Sequence, residues 1–261
     1  MHASWYLSIT AQASVLAAVF IRDAWRSWPW FAAWLAGSIA RSLTLVAIGG
    51  PGSALYLQVY VVTDVPLLAL YAAVVHEVWK LRCARYTGVR RVGEVILIVS
   101  LAIAAAASLI VGLRHEGWEG AVSAVWVVRR TVMVVLLVFA GLALLVTGRL
   151  RTPTPPELLA HHRLLVAYLA AVALPILLGA VAPQSAVAGL NAALTGAAAV
   201  CYLVWVGVVW MPATQLPSPA PSPQAELVER KAREFILSLR SASRTDFALR
   251  RRSRVTDTGK R

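Results

Sequence analysis

Acidic residues are scarce in this chain, 12 among 261, and charged residues of both signs make up only 14%. Soluble domains carry about 25% charge, so an ordinary water-facing surface is excluded. Cysteine is nearly absent. Cys83 and Cys201 offer neither a disulfide framework nor a CxxC metal site, and both read as structural thiols. The chain also lacks a GxxxxGK[ST] phosphate loop, a GxGxxG turn, a GxSxG elbow, an HExxH zinc motif and a potassium-filter sequence. No cofactor is therefore expected and no catalytic residue is nominated. What fills the chain is apolar, 59% of it, in runs long enough to cross a bilayer repeatedly.

Seven apolar stretches, 5–21, 30–48, 54–79, 93–113, 121–147, 164–182 and 186–210, predict an all-α polytopic transmembrane bundle of seven helices within residues 1–211. A span needs roughly 20 residues at ~1.5 Å rise each. The first stretch is thus marginal, and the third and fifth are long enough to tilt or protrude. The tight links at 49–53 and 183–185 read as helical hairpins, with re-entrant turns as the alternative. Small residues at 101–112 and 189–200 place the fourth and seventh helices in the interior or against each other. Pro66 and Pro175 are expected to bend the third and sixth helices.

The net charge of +13 suggests nucleic acid in a soluble protein, but here its distribution reads as topology. Of the 25 basic residues, 21 fall in alternate segments: Arg22 and Arg26, then 80–91, then 149–163, then the chain after 211. The opposite loops hold Arg114 alone, and Arg41, Arg129 and Arg130 fall inside spans. This asymmetry predicts an outside N-terminus and a cytoplasmic C-terminus in a cell inner membrane. No Lys or Arg precedes the first apolar run, so that run reads as a retained span, not a secretory signal. Most tryptophans sit near span ends as interfacial anchors, while Trp34, Trp126 and Trp205 lie deeper and are expected to pack inside.

The chain beyond the spans divides in two. Residues 212–223 form a Pro-rich linker, and 224–261 a basic cytoplasmic tail. Within the tail Val228, Ala232, Phe235 and Leu239 recur at helical spacing, predicting a short amphipathic helix; beyond about Ser243 disorder is expected. Membrane lipids are the first partner this basic helix suggests, a cytoplasmic protein engaged through 224–250 the second, and nucleic acid a distant third. Homo-oligomerisation through the small-residue helices stays open.

Ionisable residues at membrane depth are costly unless paired or hydrated, which makes them the first candidates for a site. Arg41, Asp64 and Arg129 lie at similar depths, roughly 10, 15 and 12 Å from the outer face. With Arg130 they form a candidate ligand-binding group for a carboxylate or phosphate, because arginine presents a planar fork of donors. Two other readings compete: a structural Asp64–Arg41 pair, and an interfacial helix over 118–130 whose Arg129 and Arg130 snorkel to headgroups. Tyr56, Gln58, Tyr60 and Thr63 could line the same cavity.

A second set sits at the cytoplasmic ends of the spans: His76, Glu77, Glu94, His161 and His162. Histidine and carboxylate together could exchange a proton or hold a transition metal. Adjacent HE and HH pairs, however, do not both face inward from one helix. Pairing of Glu77 and Glu94 with nearby basic residues is the simpler expectation, and no metal is assigned.

Seven helices with an outside N-terminus resemble the rhodopsin-like topology, but the seventh stretch has no lysine for a retinal Schiff base. Trp28–Pro29–Trp30 at the start of the second helix and Val74, Glu77, Val78 and Trp79 at the end of the third resemble uncharacterised bacterial seven-span membrane proteins. That resemblance covers about the first 130 residues and implies no activity. A small membrane sensor or accessory subunit engaging a cytoplasmic partner is one expectation. A permease or membrane enzyme for an anionic or lipid substrate is the alternative.

Overall fold

A computed structural model describes residues 2–49, 54–112, 117–150, 154–178, 184–212, 223, 226–239 and 241. The links at 50–53 and 181–183, Arg114, most of the 212–223 linker and the tail beyond 241 lie outside the described residues. The helices are α1 (His2–Ile21), α2 (Pro29–Ala47), α3 (Ala54–Arg82), α4 (Thr87–Gly112), α5 (Gly117–Arg149), α6 (Pro156–Leu178) and α7 (Gln184–Val209), with a 3-10 turn at Ala24–Arg26. Residues 226–239 form a further helix, α8. Polar first turns carry α4 and α6 beyond their apolar runs, and Pro29 opens α2 where a missing N–H costs nothing.

Among the described residues five helices are long and apolar enough to cross a membrane: Pro29–Ala47, Leu55–Arg82, Thr87–Ser108, Val122–Arg149 and Pro156–Leu174. Tyr6–Ile21 and Thr195–Val209 are shorter apolar helices. The protein is an all-α polytopic membrane bundle. Its helices close a ring in the order α1, α2, α3, α5, α6, α7 and back to α1, and α3 also touches α6. Apolar side chains turned into that ring, such as Val15, Phe31, Leu35, Leu136, Leu169 and Trp205, are fully buried.

The small-residue helices are not paired. α4 packs on α5 and more lightly on α3, whereas α7 packs on α6 and α1. Ala104 and Ser108 of α4 are buried, while Ile96, Ile98, Val99 and Ile103 are exposed, so α4 lies outside the ring. Its short side chains serve one close contact with a neighbour. Near its N-terminal end the approach is tighter still: a Cβ at Gly93 would lie 2.3 Å from the Trp79 indole. That indole cannot step aside, because Nε1 donates to the Arg90 carbonyl at 2.9 Å and its ring meets Phe139 edge-on.

Tryptophan placement departs from expectation in both directions. Trp34 and Trp205 are buried, but Trp126 is exposed, and Trp28 and Trp79, expected as interfacial anchors, are buried. Trp28 is drawn inward by stacking on His161 at 4.5 Å. Trp79 is drawn in by its bond to the α4 backbone.

α8 folds back onto the bundle and caps α4. Glu229 accepts from the Gly88 and Val89 amides at 2.8 and 3.1 Å and from the Thr87 hydroxyl at 3.2 Å, while Arg233 Nε donates to it at 2.8 Å. These amides are donors that α4 cannot satisfy internally. The docked face therefore carries Glu229 and Ile236, both 9% exposed, and the expected apolar stripe is split: Ala232 packs against the core, whereas Phe235 and Leu239 are 51% and 42% exposed. The carboxylate and the packing of Ala232 and Ile236 together set the rotation of the helix. Beneath it Cys83 is fully buried, and burial pushes its thiol up to about 12.

Burial raises the Glu229 carboxyl, but the Gly88 amide, Arg233, the Val89 amide and Thr87 together outweigh it, leaving the group below its ordinary value of 4.5. A depressed carboxyl contributes stability above its unfolded pKa and loses it as pH falls through the folded one. Docking of α8 is therefore expected to be intact at neutral pH and to weaken as pH drops below 4.5. Amide hydrogen exchange over 226–239 measures this. Glu229→Gln should weaken docking at neutral pH and flatten its acid dependence, and Gly88→Ala should release the helix, because a Cβ there meets the Arg233 and Glu229 backbone at 3.0 Å.

Candidate functional site

One stripe of α3 carries the polar groups that face the bundle. At 3.6 residues per turn Tyr60, Asp64, Tyr71 and Arg82 fall within about 40° of one another. Asp64 is 1% exposed. Arg41 of α2 reaches its Oδ1 through Nη2 at 2.9 Å, and Arg129 of α5 reaches the same oxygen through Nη1 at 2.8 Å. Arg41 also donates from Nε to Thr63 Oγ1 at 3.1 Å and from Nη2 to the Tyr60 carbonyl at 3.3 Å. Arg129 donates to the Tyr60 hydroxyl. The Tyr60 ring lies 4.3 Å from the Arg41 guanidinium and is stacked between Tyr56 and Trp126.

Two guanidiniums on one carboxylate leave a net positive charge, held by three helices. Asp64 Oδ2 has no hydrogen-bond partner among the described residues. The arginine side chains are 11% and 20% exposed against 2% for Asp64, so an arriving anion meets guanidinium before carboxylate. Arg130 does not join them. It lies about 100° around α5 from Arg129 and is exposed. Nor is 118–130 a separate interfacial helix, since α5 is continuous over Gly117–Arg149.

Toward the C-terminal end of α3 the interior becomes aromatic. Tyr202 donates to the Tyr168 hydroxyl at 2.8 Å, and Tyr168 and Tyr71 share a bond of 2.9 Å. Trp34 lies edge-on to Tyr168 at 5.3 Å. Trp205 donates to His161 Nδ1 at 3.0 Å, which places the proton of a neutral His161 on Nε2. These tyrosines were not nominated from the sequence. The available signal was a phenol inside an apolar run, which needs a polar partner when buried.

The second candidate set, His76, Glu77, Glu94, His161 and His162, is dispersed. His76 and Arg90 both lie 3.5 Å from Glu94 at the α3–α4 edge. Glu77 turns the other way and accepts from the Trp30 and Phe31 amides at 3.1 and 3.2 Å, capping α2 across 46 to 47 residues of sequence. His161 belongs to the aromatic interior, and His162 Nε2 bonds the Ala140 carbonyl at 3.0 Å. No group of three or more His, Cys, Asp or Glu suited to a metal occurs among the described residues. The best-formed polar site is therefore Arg41, Asp64, Arg129 and Tyr60.

No protein-family model, curated protein or solved structure matches the chain, so its function has to be argued from this geometry.

Breaking one side of a buried ion pair costs about 3–5 kcal/mol, because the remaining charge is left unpaired. Asp64→Asn leaves two guanidiniums facing each other, whereas Arg41→Gln leaves Asp64 with Arg129. Asp64→Asn should therefore lower the thermal midpoint in detergent more than Arg41→Gln, with tryptophan fluorescence as readout. Equal losses would show that the arginines do not share the carboxylate energetically.

Proposed function

We propose that the protein is a small sensor or accessory subunit of a cell inner membrane, a seven-span bundle with its N-terminus outside and its C-terminus cytoplasmic. On this reading residues 1–211 form the membrane domain, 212–223 the linker and 224–261 the tail. An anionic ligand, carboxylate or phosphate, engages Arg41 and Arg129 from the outer side and competes with Asp64 for them. The observation that carries the reading is the convergence of both arginines on α3, whose cytoplasmic end lies beneath the docked α8. A shift in the ion pairs thus has a mechanical route to the tail through one helix.

The outward face of α8 supports a cytoplasmic partner. Leu227, Phe235, Leu237 and Leu239 are exposed although the helix is already docked on its other face. Membrane lipids are the competing contact for this face, and nucleic acid ranks last because the basic residues follow membrane topology. The alternative function, a permease or membrane enzyme for an anionic or lipid substrate, draws support from the hydroxyl line of Tyr71, Tyr168 and Tyr202 within the bundle. The seven-span architecture leaves a retinal role aside for want of a lysine in α7.

The two readings separate in reconstituted full-length protein. For a sensor, a panel of small carboxylates and phosphates added on the outer side should include one that alters hydrogen exchange of 226–239 without crossing the membrane, and Arg129→Gln should abolish the response. Substrate flux into proteoliposomes that collapses in Asp64→Asn would instead establish the permease.

A further inference from the structure

The cytoplasmic end of the stripe on α3 carries a second arginine with a different problem. Arg82, the last residue of α3, is 6% exposed, yet no ion pair reaches it among the described residues. Its Nη2 donates to the Thr147 hydroxyl of α5, while Nε and Nη1 have no hydrogen-bond partner. Thr147 cannot offset the charge, because its own proton goes to the Ala143 carbonyl at 2.7 Å. The neighbouring charges make matters worse. Arg82 interacts electrostatically with Arg163 and with His162, both on α6.

His162 adds an acceptor to these donors. Its Nε2 proton is committed to the Ala140 carbonyl, so Nδ1 carries the lone pair, and Nδ1 is buried without a partner on a residue 1% exposed. A guanidinium with two idle nitrogens and an idle imidazole acceptor thus lie within electrostatic range of each other, with the exposed Arg163 also in range, near the C-terminal ends of α3 and α5 and the first turns of α6. A buried charge this poorly satisfied calls for a counter-ion.

We infer that Arg82, with Thr147, His162 and Arg163, forms a cytoplasmic site for a phosphate group that keeps a P–OH, as a monoester or as free phosphate. Phosphate oxygens accept from Nε and Nη1, and guanidinium is suited to them. The P–OH can donate to Nδ1, and a carboxylate, a chloride ion or a phosphodiester lacks it. Two sources share this chemistry: the headgroup of phosphatidic acid in the inner leaflet, and free inorganic phosphate. The site is separate from the outer arginine pair, and its fate does not decide that reading.

The test uses the full chain in nanodiscs of phosphatidylcholine, with the thermal midpoint and its dependence on the concentration of the added phosphate or phosphatidic acid as readouts. One arm adds inorganic phosphate; the other replaces part of the lipid by phosphatidic acid, with phosphatidylglycerol as the phosphodiester control. A raised midpoint in at least one arm, exceeding that with phosphatidylglycerol, is expected. Arg82→Gln should weaken binding at least about tenfold, the loss of a charge-assisted hydrogen bond, and the exposed Arg149→Gln should leave it unchanged. Should Arg82→Gln fail to fold, Arg82→Lys keeps the charge but loses the paired donors and should show the same weakening. No stabilisation of the wild type in either arm, an equal response to phosphatidylglycerol, or undiminished binding in the Arg82 variants overturns the proposal.

Discussion

A carboxylate inside hydrocarbon must be neutralised from within the protein, since no water is available to do it. Asp64 obtains that neutralisation from α2 and α5 at once, on a single oxygen. The requirement orders much of the bundle. It brings α5 against α3 although α4 intervenes in sequence, and so leaves α4 outside the ring. It also orients the α3 stripe inward, which puts Tyr71 among the phenols of α6 and α7 and Arg82 against α5.

The same demand for internal partners recurs at helix ends. α2 opens with Pro29 and has no capping side chain of its own, so Glu77 of α3 supplies the acceptor. α4 is capped by Glu229 from the far end of the chain. Both carboxylates hold elements together by satisfying backbone N–H groups. Glu77 and Glu229 each have a defined structural task, and Glu229 lends docking of the tail a sensitivity to acid.

Much of this was legible where a one-dimensional rule applies. Apolar runs identify an all-α membrane bundle because bilayer thickness sets a length. Counting ~1.5 Å per residue puts Arg41, Asp64 and Arg129 at one depth, and 100° per residue separates Arg130 from Arg129. What escaped the sequence depends on partners distant along the chain. Glu77 was expected to pair with a nearby basic residue, because the amides it caps are 46 to 47 residues away. The α8 stripe was read from apolar spacing, but a capping carboxylate and the packing of Ala232 and Ile236 together set its rotation. The small residues of α4 and α7 signalled close packing without naming the neighbour, and each helix found a different one. Arg82 was counted as one basic residue among many on the cytoplasmic side, although its burial makes it unlike the others.

The ring order has a consequence for biogenesis. α2 and α3 leave the ribosome as neighbours, and Arg41 and Asp64 form a pair of zero net charge within that hairpin. The hairpin can therefore enter the bilayer without an unpaired ion. Arg129 is made only after α4, and its contact with Asp64 places α5 in the ring while α4 stays at the periphery. The second charge on Asp64 Oδ1 thus fixes α5 against α3 before α6 and α7 are made, and the ring closes only when α7 meets α1.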